Sequence, residues 1–361
     1  MRILHTESSK GWGGQENRTL NELITMRARG HELAVLSRPG ARIIERAKEA
    51  GFQTFAIDMR GAVDLPNILR LRSVIKFFRP DVINTHSGRD TQLAGMAAHM
   101  LWNRPRIVRT RHLALPITSK FTYSILPDHV VTVSRFVEHF LAASGVPRSK
   151  ITTVPTGVDF ARYDRTSIAG NLRQELGLPT EALLVGTIAI LRVKKGHNEI
   201  LDAVPLILKR FPNAHFIFAG DGPQTENLKK RIATEGLGDH VHMLGLRRDV
   251  TNILASLDVF VLPTHQEALG TAFIEAGAMS LPVVATNVDG VPEVVQDGVT
   301  GLLVPLQNGL AVAEAINRLL ADPICRESMG KNAAEFVRRA FSREVMAQGM
   351  EQLYMRLLEV R

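Results

Sequence analysis

The chain is poor in cysteine, in aromatic residues and in long uncharged runs. Its single cysteine, Cys325, excludes an intrachain disulfide and a cysteine-built zinc framework, and points to a reducing compartment. Aromatic residues make up 6%, and no recognised nucleic-acid motif occurs, so no nucleic acid partner is expected. No His-Glu-x-x-His run or metal-spaced carboxylate–histidine cluster occurs, so no metal site is expected. The longest stretch free of Asp, Glu, Lys and Arg is Gly298–Ala313, 16 residues that include Gly, Pro, Asn and Gln. That excludes a credible membrane-spanning helix. The apolar stretch at the N-terminus is too short for a secretory signal. What remains is 361 residues of ordinary globular composition, 45% hydrophobic and 22% charged, enough for about two domains.

Charge is divided unevenly. Residues 1–165 carry 25 Lys and Arg against 14 Asp and Glu, whereas residues 166–361 carry 19 against 22. The division suggests two units with different surfaces. The basic one suits an anionic membrane face or a phosphorylated substrate.

Both halves alternate strand and helix patterns. In the first, Arg2–Thr6, His31–Ser37, Gln53–Ile57, Val82–Thr85, Ile107–Thr110 and Val130–Val133 read as strands, with helical stretches between them. In the second, the strands are Leu183–Leu191, His215–Ala219, Val241–Leu244, Val259–Leu262 and Val283–Ala285. This alternation predicts two doubly wound parallel sheets facing a cleft, with ligands at the carboxyl ends of the strands.

Three loops at such ends carry chemistry. After Val259–Leu262, Glu267 and Glu275 flank Gly270 at the start of a helix, whose free N–H groups suit a phosphate, while Glu275 could accept from a vicinal diol. After Leu183–Leu191, Arg192 and Lys195 with Gly196 could clamp a diphosphate. In the first half, Gly13 and Gly14 precede a helix and could pass close to a phosphate or sugar, while Glu16 favours the helix N-terminus. His86 follows a strand and could hydrogen-bond a sugar hydroxyl or be a satisfied structural histidine. His240 and His242 are expected only to pack. The helix Leu65–Arg79 carries Arg70, Arg72 and Lys76, which could face lipid or could be the outer side of a sheet-covering helix. Arg104, Arg106, Arg109, Arg111 and His112 form a second basic cluster, suited to a phosphorylated acceptor or lipid headgroups.

At these residues the chain resembles a retaining glycosyltransferase of the GT-B fold, family 4, over nearly its whole length. Glu267 through Glu275 is similar to the family's Glu-x7-Glu signature. Pro155–Asp159, Gly220–Pro223, Leu244–Arg247, Asp289–Glu293 and Gly301–Pro305 fall in the expected order, and Gly13–Glu16 is similar to the family's Gly-Gly-x-Glu loop. The chain departs from the family in spacing Arg192 and Lys195 three apart, as in a cell-envelope polysaccharide subgroup, and in placing Thr156 where Asn is common.

The resemblance implies two Rossmann-like domains, residues 1–160 for the acceptor and 161–342 for the donor, with helix 343–361 packing back on the first. It implies that Glu275 holds the ribose of a nucleotide-sugar and that Arg192 and Lys195 hold its diphosphate. Backbone at Leu269, Gly270 and Thr271 would touch phosphate and sugar, and Gly245, Leu246 and Arg247 would line the base. Gly13 and Gly14 would approach the donor. Glu267 and His86 would contact the transferred sugar from opposite sides, with Lys195 supporting departure of the nucleoside diphosphate. The expected reaction is metal-independent, cofactor-free transfer of a hexosyl group, with a UDP-sugar preferred, to a glycolipid such as lipopolysaccharide core. A soluble saccharide acceptor or a nucleotide-sugar epimerase is the alternative. The expected location is the cytoplasm, at the inner membrane face.

Overall fold

The computed structural model of the chain describes residues 1–59, 61, 64–165 and 167–359. It divides into two units: Met1–Val158 with the chain from Phe341 onward, and Asp159–Ala340. Both crossings fall two residues before the boundaries expected at 160 and 342.

The first unit runs β1 (Arg2–Glu7), α1 (Gly14–Ala28), β2 (Glu32–Ser37), α2 (Arg42–Glu49), β3 (Gln53–Ala56), α3 (Leu65–Phe78), β4 (Val82–Thr85), α4 (Gly88–His99), β5 (Arg106–Arg111), β6 (His129–Thr132), α5 (Arg135–Ala143) and β7 (Ile151–Thr153). All strands pair in parallel, in the order β3-β2-β1-β4-β5-β6-β7. Helices cover both faces of such a sheet, so its strands run apolar without alternation. Ile3, Leu4, Val82, Ile83, Ile107, Val108, Val130 and Val131 are all fully buried. Helix α3 shows how the sequence sets an element's ends. Asp64 caps its first turn through the Asn67 N–H at 3.3 Å, and Arg79 closes it in the left-handed conformation ahead of Pro80. Between these ends Ile68, Leu71, Ile75 and Phe78 recur at helical spacing and fill the core.

The second unit runs α6 (Leu172–Glu175), β8 (Leu183–Ile188), α7 (His197–Leu208), β9 (Ala214–Ala219), α8 (Thr225–Thr234), β10 (Val241–Gly245), α9 (Val250–Ser256), β11 (Val259–Leu262), α10 (Thr271–Ala278), β12 (Val283–Thr286), β13 (Gly301–Val304), α11 (Gly309–Ala321) and α12 (Pro323–Ala340). Its parallel sheet has the order β10-β9-β8-β11-β12-β13. Val185, Phe216, Phe218, Val259 and Val261 meet Ile200, Val204, Val312 and Ile316 in one buried cluster.

The last helix, α13 (Arg343–Glu359), belongs to the first unit. Met346, Met350 and Tyr354 join the core beside α1, and the Tyr354 hydroxyl donates to buried Glu22 at 2.9 Å.

Three sequence expectations are corrected. The stretch between β5 and β6 is not helical beyond one wide turn, Phe121–Ile125, because Pro116 and Pro127 bracket it. Strand β8 stops at Ile188 rather than Leu191, because Leu191 turns to donate its N–H to the Asp221 carbonyl at 3.0 Å. The short edge strands β7 and β13 are additions to the predicted set.

Candidate functional site

In a doubly wound sheet the order of strands reverses at one place, and the loops on either side part there to leave a crevice. In the second unit that place lies between β8 and β11. The loop after β8 carries Arg192, Lys194 and Lys195, and the loop after β11 carries Thr264 through Gly270. They are zipped together. The Lys194 carbonyl accepts from the Thr264 hydroxyl at 2.9 Å and from the His265 N–H at 2.7 Å. Gly196, at φ +73, lies against Pro263 so closely that a Cβ would collide with the Pro263 carbonyl. The structure brings Lys195 and Glu267 together across this seam, Nζ to Oε2 at 2.5 Å, both about four-fifths buried. The loop after β12 supports the pair from behind: the Asp289 carboxylate accepts the Glu267 N–H at 3.0 Å, and the Glu267 carbonyl accepts the Gly290 N–H.

Leu269, Gly270 and Thr271 then lead into α10. Gly270 takes φ +92, and a side chain there would strike the Phe273 ring. One turn on, Glu275 lies beside the Tyr163 hydroxyl, which favours its charged form. Burial pushes the Glu275 carboxyl up to about 7, against the pull of that hydroxyl and of Arg162. Burial, with Glu275 beside it, also raises the Tyr163 phenol. Arg192 is exposed and makes no side-chain bond among the described residues. Leu246 is exposed as well. Arg247 is committed elsewhere, gripped by Asp249 at 2.6 Å and by Glu175, which holds its guanidinium charged. Its backbone alone is left to line a base.

In the first unit the strand order reverses between β1 and β4. The loops there are tied by the Ser8 and Ser87 hydroxyls at 2.7 Å. Gly13 and Gly14 begin α1, and the Glu16 carboxylate accepts the Gly13 N–H at 2.8 Å, so Glu16 serves the helix end as the sequence suggests. Glu7 and Asp90 are buried nearby. Burial pushes the Glu7 carboxyl up to about 8, with the Asp90 charge adding to the rise, and it raises Asp90 too. The Asp90 carboxylate accepts the His86 and Ser87 N–H groups at 2.8 and 2.7 Å.

His86 is enclosed. It is 4% exposed, and both ring nitrogens are taken: Nε2 lies 3.1 Å from His5 Nδ1, and Nδ1 lies 3.0 Å from His112 Nε2. Each contact shares one proton, so the tautomers of the three rings are coupled. Burial holds all three below the usual histidine range. His112 is the partly exposed end of the row, and its Nδ1 has no hydrogen-bond partner among the described residues.

The basic cluster is also split. Arg104 pairs with Asp128 through two bonds of 2.7 Å, and Arg106 lies 3.6 Å from the same carboxylate. Arg109 is only 3% exposed, and Arg111 is half-buried. On α3, Arg70 and Lys76 face outward with Leu65, Leu69 and Phe77, while Arg72 is half-buried. Among the described residues no helix is long and apolar enough to cross a membrane, and no group of three His, Cys, Asp or Glu side chains could hold a metal ion.

Residues 12–162 match the family model for Glycosyltransferase Family 4, and residues 169–336 match the model for Glycosyl transferases group 1. The chain belongs to the family 4 glycosyltransferases. It is 25% identical to the lipopolysaccharide core biosynthesis glycosyltransferase LpsE of Rhizobium meliloti, over 98% of each chain. Its fold matches the crystal structure of a glycosyltransferase from Rickettsia africae (TM-score 0.90, 21% identity, 99% and 98% of the two chains). It also matches that of Anabaena Alr3699/HepE in complex with UDP (0.87, 21%, 98% and 99%). The fold is therefore GT-B. In this glycosyltransferase two residues beside the candidate site escaped sequence reasoning as site residues, while His112 was legible only as part of the basic cluster. Asp289 was visible only within a motif, and Tyr163 had no signal at all.

Proposed function

We propose that this glycosyltransferase moves a hexosyl group, with retention, from a UDP-sugar held by the second unit to a cell-envelope glycolipid held by the first. The Lys195–Glu267 pair at the point where the strand order reverses carries the reading. A cation, a carboxylate and a helix N-terminus converge there, at the carboxyl ends of β8 and β11. The nucleoside diphosphate leaves the anomeric carbon with the bonding electron pair, and negative charge grows on it. Lys195, Arg192 and the first N–H groups of α10 offset that charge without a metal or cofactor. Glu267 supports the positive sugar ring and holds Lys195 in place. Glu275 accepts from the ribose hydroxyls, taking over from the Tyr163 hydroxyl as it ionises. Gly13 and Gly14 let the backbone approach the donor.

A uracil base is favoured by the fold match to a protein solved with UDP. A cell-envelope acceptor is favoured by the likeness to LpsE. We place the enzyme at the inner membrane face, where α3 offers Phe77, 69% exposed, beside Arg70 and Lys76. The test is product analysis with a UDP-sugar donor in EDTA: a glycosylated acceptor with unchanged anomeric configuration supports the proposal. An altered free nucleotide-sugar would make the protein an epimerase instead.

A further inference from the structure

A cavity of about 400 Å³ opens in the first unit at the carboxyl ends of β4 and β5, against the start of α4. Arg109 and Arg111 point into it together, because residues two apart in a strand share a face. Arg89 stands at its edge, and the irregular loop after β5 supplies Leu115 and Thr118. The Tyr123 ring lies under both strand arginines, 3.6 Å from the Arg109 guanidinium carbon and 5.7 Å from that of Arg111.

These three arginines share one property. Among the described residues none forms an ion pair. Their bonds go to neutral oxygens: Arg109 donates through Nη1 to the Thr122 carbonyl at 2.9 Å and to its hydroxyl, Arg111 to the Leu115 carbonyl at 2.7 Å, and Arg89 to the Met59 carbonyl at 3.2 Å. The second terminal nitrogen of each guanidinium has no partner, and Arg109 Nε is sealed without one. Burial lowers the Arg109 pKa to about 10, against the pull of Tyr123 and Asp90. Asp90 acts on Arg109 only through its field. A buried cation without a counter-charge is costly, and three around one cavity repel each other. A planar guanidinium with one edge fixed and one edge free is suited to a tetrahedral oxyanion.

Resting on the proposed transferase reading, we infer that this cavity binds a phosphate group of the acceptor, through the free edges of Arg109 and Arg111 with Arg89 at the mouth. Leu115 at the rim offers apolar surface to whatever bears the phosphate. The shared chemistry is a phosphate ester, carried either by a lipid headgroup or by a soluble phosphorylated sugar.

The test uses the full chain with UDP saturating, so that the diphosphate position of the second unit is filled. Inorganic phosphate and glucose 1-phosphate are titrated calorimetrically, with glucose as the uncharged control. Flotation with phosphatidylcholine vesicles, with and without phosphatidylglycerol, tests the lipid source. Phosphate is expected to bind at one site, and about tenfold more weakly to Arg109→Gln and to Arg111→Gln. Thr118→Glu, at an exposed loop position that cannot disturb the core, should weaken it similarly by repulsion. UDP binding should be unchanged in all three. Tight glucose 1-phosphate with no vesicle effect assigns the soluble source; selective flotation lost in Arg111→Gln assigns the lipid. Phosphate binding that is absent, or that ignores all three substitutions while UDP binds normally, overturns this inference alone. Loss of UDP binding in the unaltered chain would overturn the transferase reading instead.

Discussion

At the carboxyl ends of β8 and β11, Lys195 meets Glu267 at 2.5 Å, and Arg247 in the same unit is gripped by Glu175 and Asp249. At the carboxyl ends of β4 and β5 in the other unit, Arg89, Arg109 and Arg111 share a cavity and pair with no carboxylate among the described residues. The folds are alike; the electrostatics are not. A ligand entering the second unit must compete with Glu267 for Lys195. A ligand entering the first meets cations that form no ion pair among the described residues. A paired cation suits a charge that grows during reaction, because the pair can loosen as the leaving group forms. Unpaired cations suit a charge that is present from the start.

The largest effect is expected at the seam of the paired site. Lys195→Ala should lower turnover about 10²–10³-fold, measured with saturating donor. Glu267→Gln should lower turnover comparably yet leave UDP bound at least as tightly, because Lys195 is released. A parallel loss of UDP affinity in Glu267→Gln would show that the two residues do not compete in this way.

Next comes Gly196→Ala. The left-handed backbone and the Pro263 carbonyl leave no room for a Cβ, so thermal unfolding should show a loss of about 2 kcal/mol, with weaker UDP binding. Unchanged stability would mean that the two loops are not held by this contact.

A smaller effect follows from Glu275. Its folded pKa of about 7 lies above the ordinary 4.5, so the folded chain holds the proton more tightly than the unfolded one. The stability it contributes is greatest at low pH and is lost as pH rises from 4.5 through about 7. UDP affinity should run the other way, since the carboxylate is the better acceptor, and should be about tenfold weaker near pH 6 than near pH 8. Glu275→Gln should flatten that dependence; an unaltered profile would assign it to another group.

The smallest effect is expected at α3. Neutralising Arg70, Arg72 and Lys76 together should reduce binding to anionic vesicles a few-fold, since exposed charges act weakly and through salt-screened fields. No change would leave α3 as a cover for the sheet.

Much of this was readable from the residues. Helix α3 was legible to its ends because Asp64, Pro80 and a helical apolar spacing all agree. Lys195 and Glu267 were legible as candidate site residues because each lies in a loop after an apolar strand, but their pairing was not, since 72 residues separate them. The ring partners of His86 were not legible, because a strand's end says where a side chain starts, not which neighbours occupy it. The burial of Arg109 was not legible either: basic residues in a row read as surface, yet a central parallel strand has no outer face.

The most direct test of the central claim is calorimetric titration of the whole chain with UDP, GDP and ADP, with and without EDTA. Micromolar UDP binding that exceeds GDP and ADP, ignores EDTA and persists in Glu267→Gln is the predicted result. Binding of none of the three nucleotides would contradict the assignment of the β8–β11 crevice as the donor site.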